Sequence, residues 1–381
     1  MASTSVSWET LRELAAFRAR TGCAVSLYLD LDPHVTPTAA AAGTRTRALI
    51  DEAHKRAEAT RLQRSHEQQA SIRDGLDRIQ GYFDDEFDRE GVRGVAVFAA
   101  TKDDLWRPLP LTAPVRDTVK FGNELYVTPL VSVAADGNAA LVAVVGRERG
   151  DLYELHDGRL DPISNLFEEQ PRRHDQGGWS QANYQRHVDD LAEKHLRGVA
   201  EELERELRRR RNAPLVLACS EEARTEFLGL LSAEARAALA GWTPVEAHAS
   251  GAELLASVKP VLERRRAERE EKLVARWHDA MGQSGRACAG WEPTLEAASD
   301  GRVDTLLYAP NANQAAHRCP ACGRLQLEDG SCPLDGAELE PSEEGLDLVV
   351  HQTLQRGGTA CPIATRPDLD PVGGVGALLR F

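Results

Sequence analysis

Two short stretches of this chain carry residue types at spacings suited to chemistry. The first runs Gln176-Gly177-Gly178-Trp179-Ser180-Gln181 and leads into a helical pattern. Paired glycines permit backbone angles that a side chain forbids, and they let the main chain approach a ligand closely. The helix start that follows offers unpaired N–H groups suited to a phosphate or an oxyanion. Arg172, Arg173 and His174 add positive charge just upstream. Spacing alone also fits an exposed Gly-Gly loop with Ser180 as an ordinary N-cap.

The second stretch holds two matching turns, Cys319-Pro320-Ala321-Cys322-Gly323 and Cys332-Pro333-Leu334-Asp335-Gly336. Each offers ligands at i and i+3, as rubredoxin-like knuckles do. Tetrahedral Zn²⁺ would take the three thiolates and needs a fourth ligand. Asp335 fits by position, with His317 as the runner-up. Such a closed site is structural, because it leaves no position for an activated water. The competing reading is a knuckle that lost its metal together with a fourth cysteine. Cys23, Cys219, Cys288 and Cys361 are isolated, as core cysteines are.

The bulk composition sets limits on partners. Seven cysteines with three crowded together indicate metal-site usage in a reducing compartment, so the cytoplasm is expected. The N-terminus lacks the order of a signal peptide, and the apolar runs are strand-sized. No membrane partner is therefore expected. A net charge of −14 argues against non-specific coating of nucleic acid, DNA included, although local basic clusters can still meet phosphates. Two such clusters stand out. Arg208–Arg211 suits either a helix C-terminus in solvent or RNA phosphates. Arg264–Arg266 has Glu263, Glu268, Glu270 and Glu271 around it and reads as a solvated face.

The elements that must position these stretches are α/β in pattern. Val25–Leu31 and Gly94–Ala99 read as strands around a helical stretch from Arg45 to Phe87. Strands are next expected at Leu125–Ser132, Ala139–Val145 and Asp151–Leu155. A long helix, Gln181–Arg211, buries one face through Tyr184, Val188, Leu191, Leu196, Val199, Leu203 and Leu207. Strands at Leu215–Ala218 and Val245–Ala247 flank a helix from Glu221. A charged helix at Ala252–Met281 opens the last part, followed by strand Val303–Ala309, helix Leu346–Gln355 and the closing Val375–Phe381. Three α/β domains are expected: 1–121, 122–250 and 251–381, the last with a cysteine-rich insert at 317–336.

On these residues the chain resembles the archaeal and eukaryotic class-1 peptide chain release factors. Their middle domain carries a basic loop, Gly-Gly-Gln-Ser and a long helix, which the block from Arg172 to Arg186 is similar to. Gly373 to Phe381 resembles the glycine-rich closing strand of their third domain, and Arg302 to Leu307 its first strand. The family also has a small cysteine-containing insert after that strand. The agreement runs from about Leu125 to Phe381. The match is nearest to bacterial relatives: release-factor-like peptidyl-tRNA hydrolases and Balon-like ribosome-associated factors.

The resemblance implies three α/β domains arranged as in those factors, and work on the ribosome with ribosomal RNA and peptidyl-tRNA. A translational GTPase is a further candidate partner. Trp179 stands where the family has its catalytic glutamine, so Gln181 is expected as the functional amide, with Gly177 and Gly178 giving backbone geometry. Trp179, Ser180, Arg172, Arg173, Arg208 and Arg209 are the expected RNA contacts. The stop-codon-reading Asn-Ile-Lys-Ser is missing; the equivalent loop is expected at Ala39–Arg47. Codon-independent peptidyl-tRNA hydrolysis is the first expectation. A hibernation factor in the ribosomal A site, active under stress, is the alternative.

Overall fold

The computed structural model describes residues 6–33, 35–59, 64–89, 92–111, 114–135, 140–156, 159–167, 179–210, 213–246, 249–283 and 285–381. They form two compact units, Met1–Asp136 with Glu270–Phe381, and Gly137–Arg269. The protein is mixed α/β throughout. Residues 1–121, expected as the first domain, share the first unit with 270–381 of the expected third, while 251–269 fall in the second unit.

The N-terminal part of that unit contains α1 (Trp8–Ala16), β1 (Ala24–Asp30), α2 (Ala39–Ala59), α3 (His66–Gly81), β2 (Gly94–Ala100), β3 (Leu105–Leu111), β4 (Thr118–Gly122) and α4 (Thr128–Ala135). The four strands form an antiparallel sheet in the order β3-β2-β1-β4. Strand β1 is buried on both faces. Val25, Leu27 and Leu29 meet Ile50, Ala53, Ile72, Leu76 and Ile79 of α2 and α3. Ala24 and Tyr28 face α1, α4 and the C-terminal part of the chain. The buried hydroxyls on that second face are used: Tyr126 N–H donates to Ser26 Oγ at 3.0 Å, and Tyr28 donates to the Tyr126 carbonyl.

Three expectations need correction here. The helical stretch from Arg45 to Phe87 is two helices. Ser65 starts the second with a capping box, its Oγ accepting from Gln68 N–H at 3.2 Å. The loop expected at Ala39–Arg47 is the beginning of α2, because a run of alanines favours helix and Thr38 Oγ1 accepts from Ala41 N–H at 3.1 Å. The strand expected at Leu125–Ser132 is α4, whose Leu130, Val131, Ala134 and Ala135 are buried on one helical face.

The second unit contains β5 (Ala140–Val145), β6 (Arg149–His156), β7 (Arg159–Phe167), α5 (Trp179–Arg209), β8 (Leu215–Ala218), α6 (Glu221–Leu230), α7 (Ala233–Ala238), β9 (Leu239–Thr243) and the first part of α8 (Gly251–Gln283). The sheet order is β7-β6-β5-β8-β9, with β5, β8 and β9 parallel and the hairpin β6–β7 antiparallel. The last strand is Leu239–Thr243, and Val245 of the expected Val245–Ala247 lies beyond it. Trp242 fixes that register by donating its indole N–H to the Cys219 carbonyl at 3.0 Å. Alternation along the strands divides the core. Leu141, Ala143, Leu215 and Leu217 face α5, α6 and α7, while Val142, Val144, Val216 and Ala218 face Leu254, Val258 and Val261 of α8.

The rest of the first unit contains β10 (Ala287–Ala289), α9 (Trp291–Ser299), β11 (Val303–Tyr308), β12 (Ala316–Arg318), β13 (Leu325–Gln326), β14 (Glu340–Ser342), α10 (Gly345–Gln355), β15 (Thr359–Pro362) and β16 (Val375–Leu379). Strands β10-β16-β11-β15 form one sheet, and β13-β12-β14 form a small one between β11 and α10. Val274 and Trp277 of α8 cover one face of the larger sheet, and α9 and α10 the other. Gly373 and Gly374 enter β16 with φ of 77° and 80°. A side chain on Gly374 would place its Cβ 2.6 Å from that of Ala312, so both the angle and the contact demand glycine.

A buried charge cluster joins the N-terminal and C-terminal parts of this unit. Arg318 donates to Glu124 Oε2, and His351 Nδ1 lies 3.3 Å from the same oxygen. Burial pushes the His351 imidazole below its ordinary 6.5; the Glu124 carboxylate opposes this, Arg318 and Arg18 reinforce it, and Asp347 opposes it. The unfolded chain therefore takes up a proton on this group before the folded one does. Stability should fall as pH drops below about 6.5 towards the depressed folded value. Urea midpoints measured between about pH 7.5 and 5.5 check this, and His351→Gln should flatten that part of the curve.

Candidate functional site

The Gly-Gly stretch leads into α5, a helix of 31 residues from Trp179 to Arg209. The helix starts two residues earlier than the sequence pattern indicates, so Trp179, Ser180 and Gln181 occupy its first turn rather than a loop. Arg172, Arg173, Gly177 and Gly178 lie outside the described residues, as do the side chains of Trp179, Ser180 and Gln181. The other half of α5 is held firmly. Ala192, Leu196, Val199, Ala200 and Leu203 are buried against the sheet, and Gly150 leaves room for Val199, whose Cγ2 would lie 2.2 Å from a Cβ there.

At the C-terminal end the arginine run finds partners within the unit. Glu206, 2% exposed, accepts from Arg209 at 2.6 Å and also from Arg210. Arg210 reaches across to Glu154 of β6 at 2.9 Å, pinning the helix end to the hairpin. Arg208 lies 3.8 Å from Glu204. The Glu206–Arg210 spacing of i, i+4 was visible in the sequence; the long-range partner Glu154 carried no such signal.

The knuckles are formed as their sequence symmetry implies. In each, the glycine N–H bonds back to the first cysteine's carbonyl, Gly323 to Cys319 and Gly336 to Cys332, both at 2.9 Å. Gly323 and Gly336 have φ of 79° and 72°, the left-handed turn that such a knuckle requires. This brings Cys319, Cys322, Cys332 and Asp335 together, their ligand atoms all within 4.8 Å of one another. Cys322 Sγ is 3.5 Å from Cys332 Sγ, and Cys319 Sγ is 3.3 Å from Asp335 Oδ2. Zinc–thiolate bonds of about 2.3 Å in a tetrahedron separate sulfurs by about 3.8 Å, so the donor set fits a tetrahedral ion. His317 is turned elsewhere, its Nδ1 3.0 Å from the Leu327 carbonyl.

The acid–base state of Asp335, Cys319 and Cys322 suits an ion. The Ala337 N–H, then the neighbouring thiols, hold Asp335 down to about 2. Burial works against ionisation of Cys319, but the Cys322 and Ala321 N–H groups outweigh it and lower its pKa. Crowding has the reverse effect on Cys322. The Arg324 N–H favours its thiolate, yet burial and the carboxylate and thiols beside it push the thiol up to about 12. A cation would relieve that conflict, since its charge offsets the carboxylate and thiols crowded around Cys322.

Sequence reasoning missed the cluster of Glu124, Arg318 and His351, which joins the knuckle to the N-terminal part. Its only sequence signal is that Arg318 directly precedes Cys319. Among the described residues, no helix is long and apolar enough to cross a membrane.

Residues 126–263 match the family model "Bacterial archaeo-eukaryotic release factor family 10". The chain is similar to the archaeal translation termination factor aRF1, at 16% identity over 99% of each chain and a TM-score of 0.27. Pelota of Archaeoglobus fulgidus is similar at 13% identity over 75% of this chain and 79% of that one, with a TM-score of 0.34. Dom34 of S. cerevisiae, a translation termination-like factor, is similar at 10% identity over 76% and 79%, with a TM-score of 0.39. No curated protein matches the chain. The matched residues 126–263 hold the Gly-Gly stretch, α5 and the sheet beneath it, and over them the chain is similar to the bacterial archaeo-eukaryotic release factors.

Proposed function

We propose that this protein is a cytoplasmic, ribosome-associated factor that promotes hydrolysis of peptidyl-tRNA without reading a codon. One observation carries the reading: Gly177-Gly178 stands directly before a 31-residue helix whose far end is fixed to a sheet. In a release-factor-type segment, that arrangement suits delivery of a narrow backbone tip into an RNA-lined cavity. Gln181 orients a water; its oxygen attacks the ester carbonyl, and the ribose 3′ oxygen leaves with a proton. The ribosome supplies most of the transition-state stabilisation. Arg172, Arg173, Trp179 and Ser180 meet ribosomal RNA, and the exposed Arg208 and Arg209 meet phosphates. A translational GTPase delivers the factor. The chain works as three portions, 1–121, 122–250 and 251–381.

The test is incubation with ribosomes carrying peptidyl-tRNA, following both co-sedimentation and peptide release. Binding with release supports the reading, and a protein that stays unbound refutes it. Trp179, in the place of the family's glutamine, favours a second reading. An indole there stacks on a base, and the factor occupies idle ribosomes under stress. Binding without release selects that reading.

The knuckle holds a structural zinc ion through Cys319, Cys322, Cys332 and Asp335. The ion supplies cross-linking of a segment whose own core, Cys319, Cys332 and Leu339, is too small to hold it folded. Elemental analysis of the purified wild type should find about one zinc per chain, and Cys319→Ser none. A metal-free wild type overturns this assignment.

A further inference from the structure

Two arms of the N-terminal part reach the ligand-bearing turn of the knuckle. Arg318, the last residue of β12, directly precedes Cys319, and its guanidinium donates to Glu124. The two side chains are only 13% and 16% exposed. Arg18 donates Nη2 to the carbonyl of Pro320 at 3.4 Å, inside the loop between Cys319 and Cys322. Arg18 and Glu124 are themselves paired as a β-bridge, and the neighbouring Ala19 N–H donates to the Asn123 carbonyl at 2.7 Å. The two arms are therefore one rigid piece of the N-terminal part.

On its other side the knuckle is tied to α9. Leu325 N–H donates to Ser299 Oγ at 2.8 Å, and Arg324 lies 3.4 Å from Asp300. The first turn is thus held from two directions. Within the buried cluster, Glu124 Oε1, Arg318 Nε and His351 Nε2 have no hydrogen-bond partner among the described residues. A buried charge cluster satisfied only in part is stable only while its strongest contact holds. That contact is Arg318 to Glu124, and the knuckle sets where Arg318 stands.

We infer that Glu124 and Arg18 are positioning residues for the metal knuckle, so that metal loading and the order of the Arg18–Glu124 bridge stabilise each other across the seam. The inference rests on the zinc reading above. Without an ion, four acidic ligands crowd together on a core of three buried residues, and the turn from Cys319 to Cys322 loosens. Arg318 and the Pro320 carbonyl then lose their fixed positions, and the bridge loses both partners. The large apolar core shared by α1, α4, α9 and α10 keeps the two parts together in either state. What the metal governs is the local seam. Coupling of this kind is reciprocal: weakening the bridge must weaken metal binding by the same factor.

The experiment uses the full chain, with zinc as the probe. Zinc affinity is measured by chelator competition for wild type, Glu124→Gln, Arg318→Gln, the double variant of these two, and Arg18→Ala. Hydrogen exchange is followed in zinc-loaded and stripped wild type. Affinity should fall about tenfold in Glu124→Gln, in the range typical for residues that orient metal ligands. In the stripped wild type, exchange at Ala19 and at residues 122–126 should quicken by a similar factor, while strands β5 to β7 stay unchanged. In the double variant Glu124→Gln with Arg318→Gln, the affinity loss should not exceed that of the single variants, because one interaction is removed twice. If zinc binds equally well to all variants and stripping leaves residues 122–126 protected, the coupling is overturned and the zinc site stands. A wild type that takes up no zinc overturns both. The exchange measurement needs no variant, so a poorly folding Glu124→Gln leaves it decisive.

Discussion

Gln181→Ala should lower peptidyl-tRNA release at least about 100-fold while leaving ribosome co-sedimentation unchanged. The expectation follows from the position of Gln181 in the first turn of α5. Alanine is the strongest helix former, so the substitution keeps the helix start and removes only the amide. Trp179 cannot take over, because it has an indole N–H donor but no acceptor for a water proton. Gln185→Ala is the matching control, one turn further along the helix, and should release peptide like the wild type. Equal release from Gln181→Ala and wild type would remove Gln181 from the mechanism. Loss of binding in Gln181→Ala would give it a contact role instead.

Phe227→Ala should destabilise the Gly137–Arg269 unit by about 3–5 kcal/mol. Phe227 of α6 is fully buried and shares one cluster with Leu196, Val199 and Leu203 of α5 and Leu217 of β8. Truncation leaves a cavity where helix meets sheet, and the surrounding side chains relax only in part. Domains of this size hold roughly 5–15 kcal/mol in total, so the loss is a large share. In calorimetry the transition of this unit should move down, while that of the unit joining the chain's two ends stays in place. Phe227→Leu keeps most of the volume and should cost roughly 1 kcal/mol. Equal melting of wild type and Phe227→Ala would mean that α6 does not brace α5.

The contrast between these two sites shows what the sequence makes legible. Strands β1, β2, β5 and β11 announce themselves as short apolar runs, because both of their faces are covered. The same signal misleads at α4. Val127, Leu130, Val131 and Val133 read as a strand from their residue types, but the buried Leu130, Val131, Ala134 and Ala135 follow a helical spacing. The knuckle turns could be read from the sequence, because a turn of five residues carries its geometry locally, and Cys319, Cys322, Cys332 and Asp335 do come together. The cluster of Glu124 with Arg318 could not, since its partners stand 194 residues apart in the chain. For the Gly-Gly stretch the chemistry rests on the residue types alone, and resemblance rather than spacing singled out Gln181.

The anchoring of α5 by Arg210, Glu206 and Glu154 makes the helix a lever. From Glu206 back to Trp179 it extends about 40 Å at 1.5 Å per residue. A tilt of about 5° at the pinned end therefore sweeps the opposite end through about 3.5 Å, nearly the spacing of two successive Cα atoms. The packing of Ala192 to Leu203 on the sheet and the ion pair at the hairpin act together to hold the helix against such a tilt.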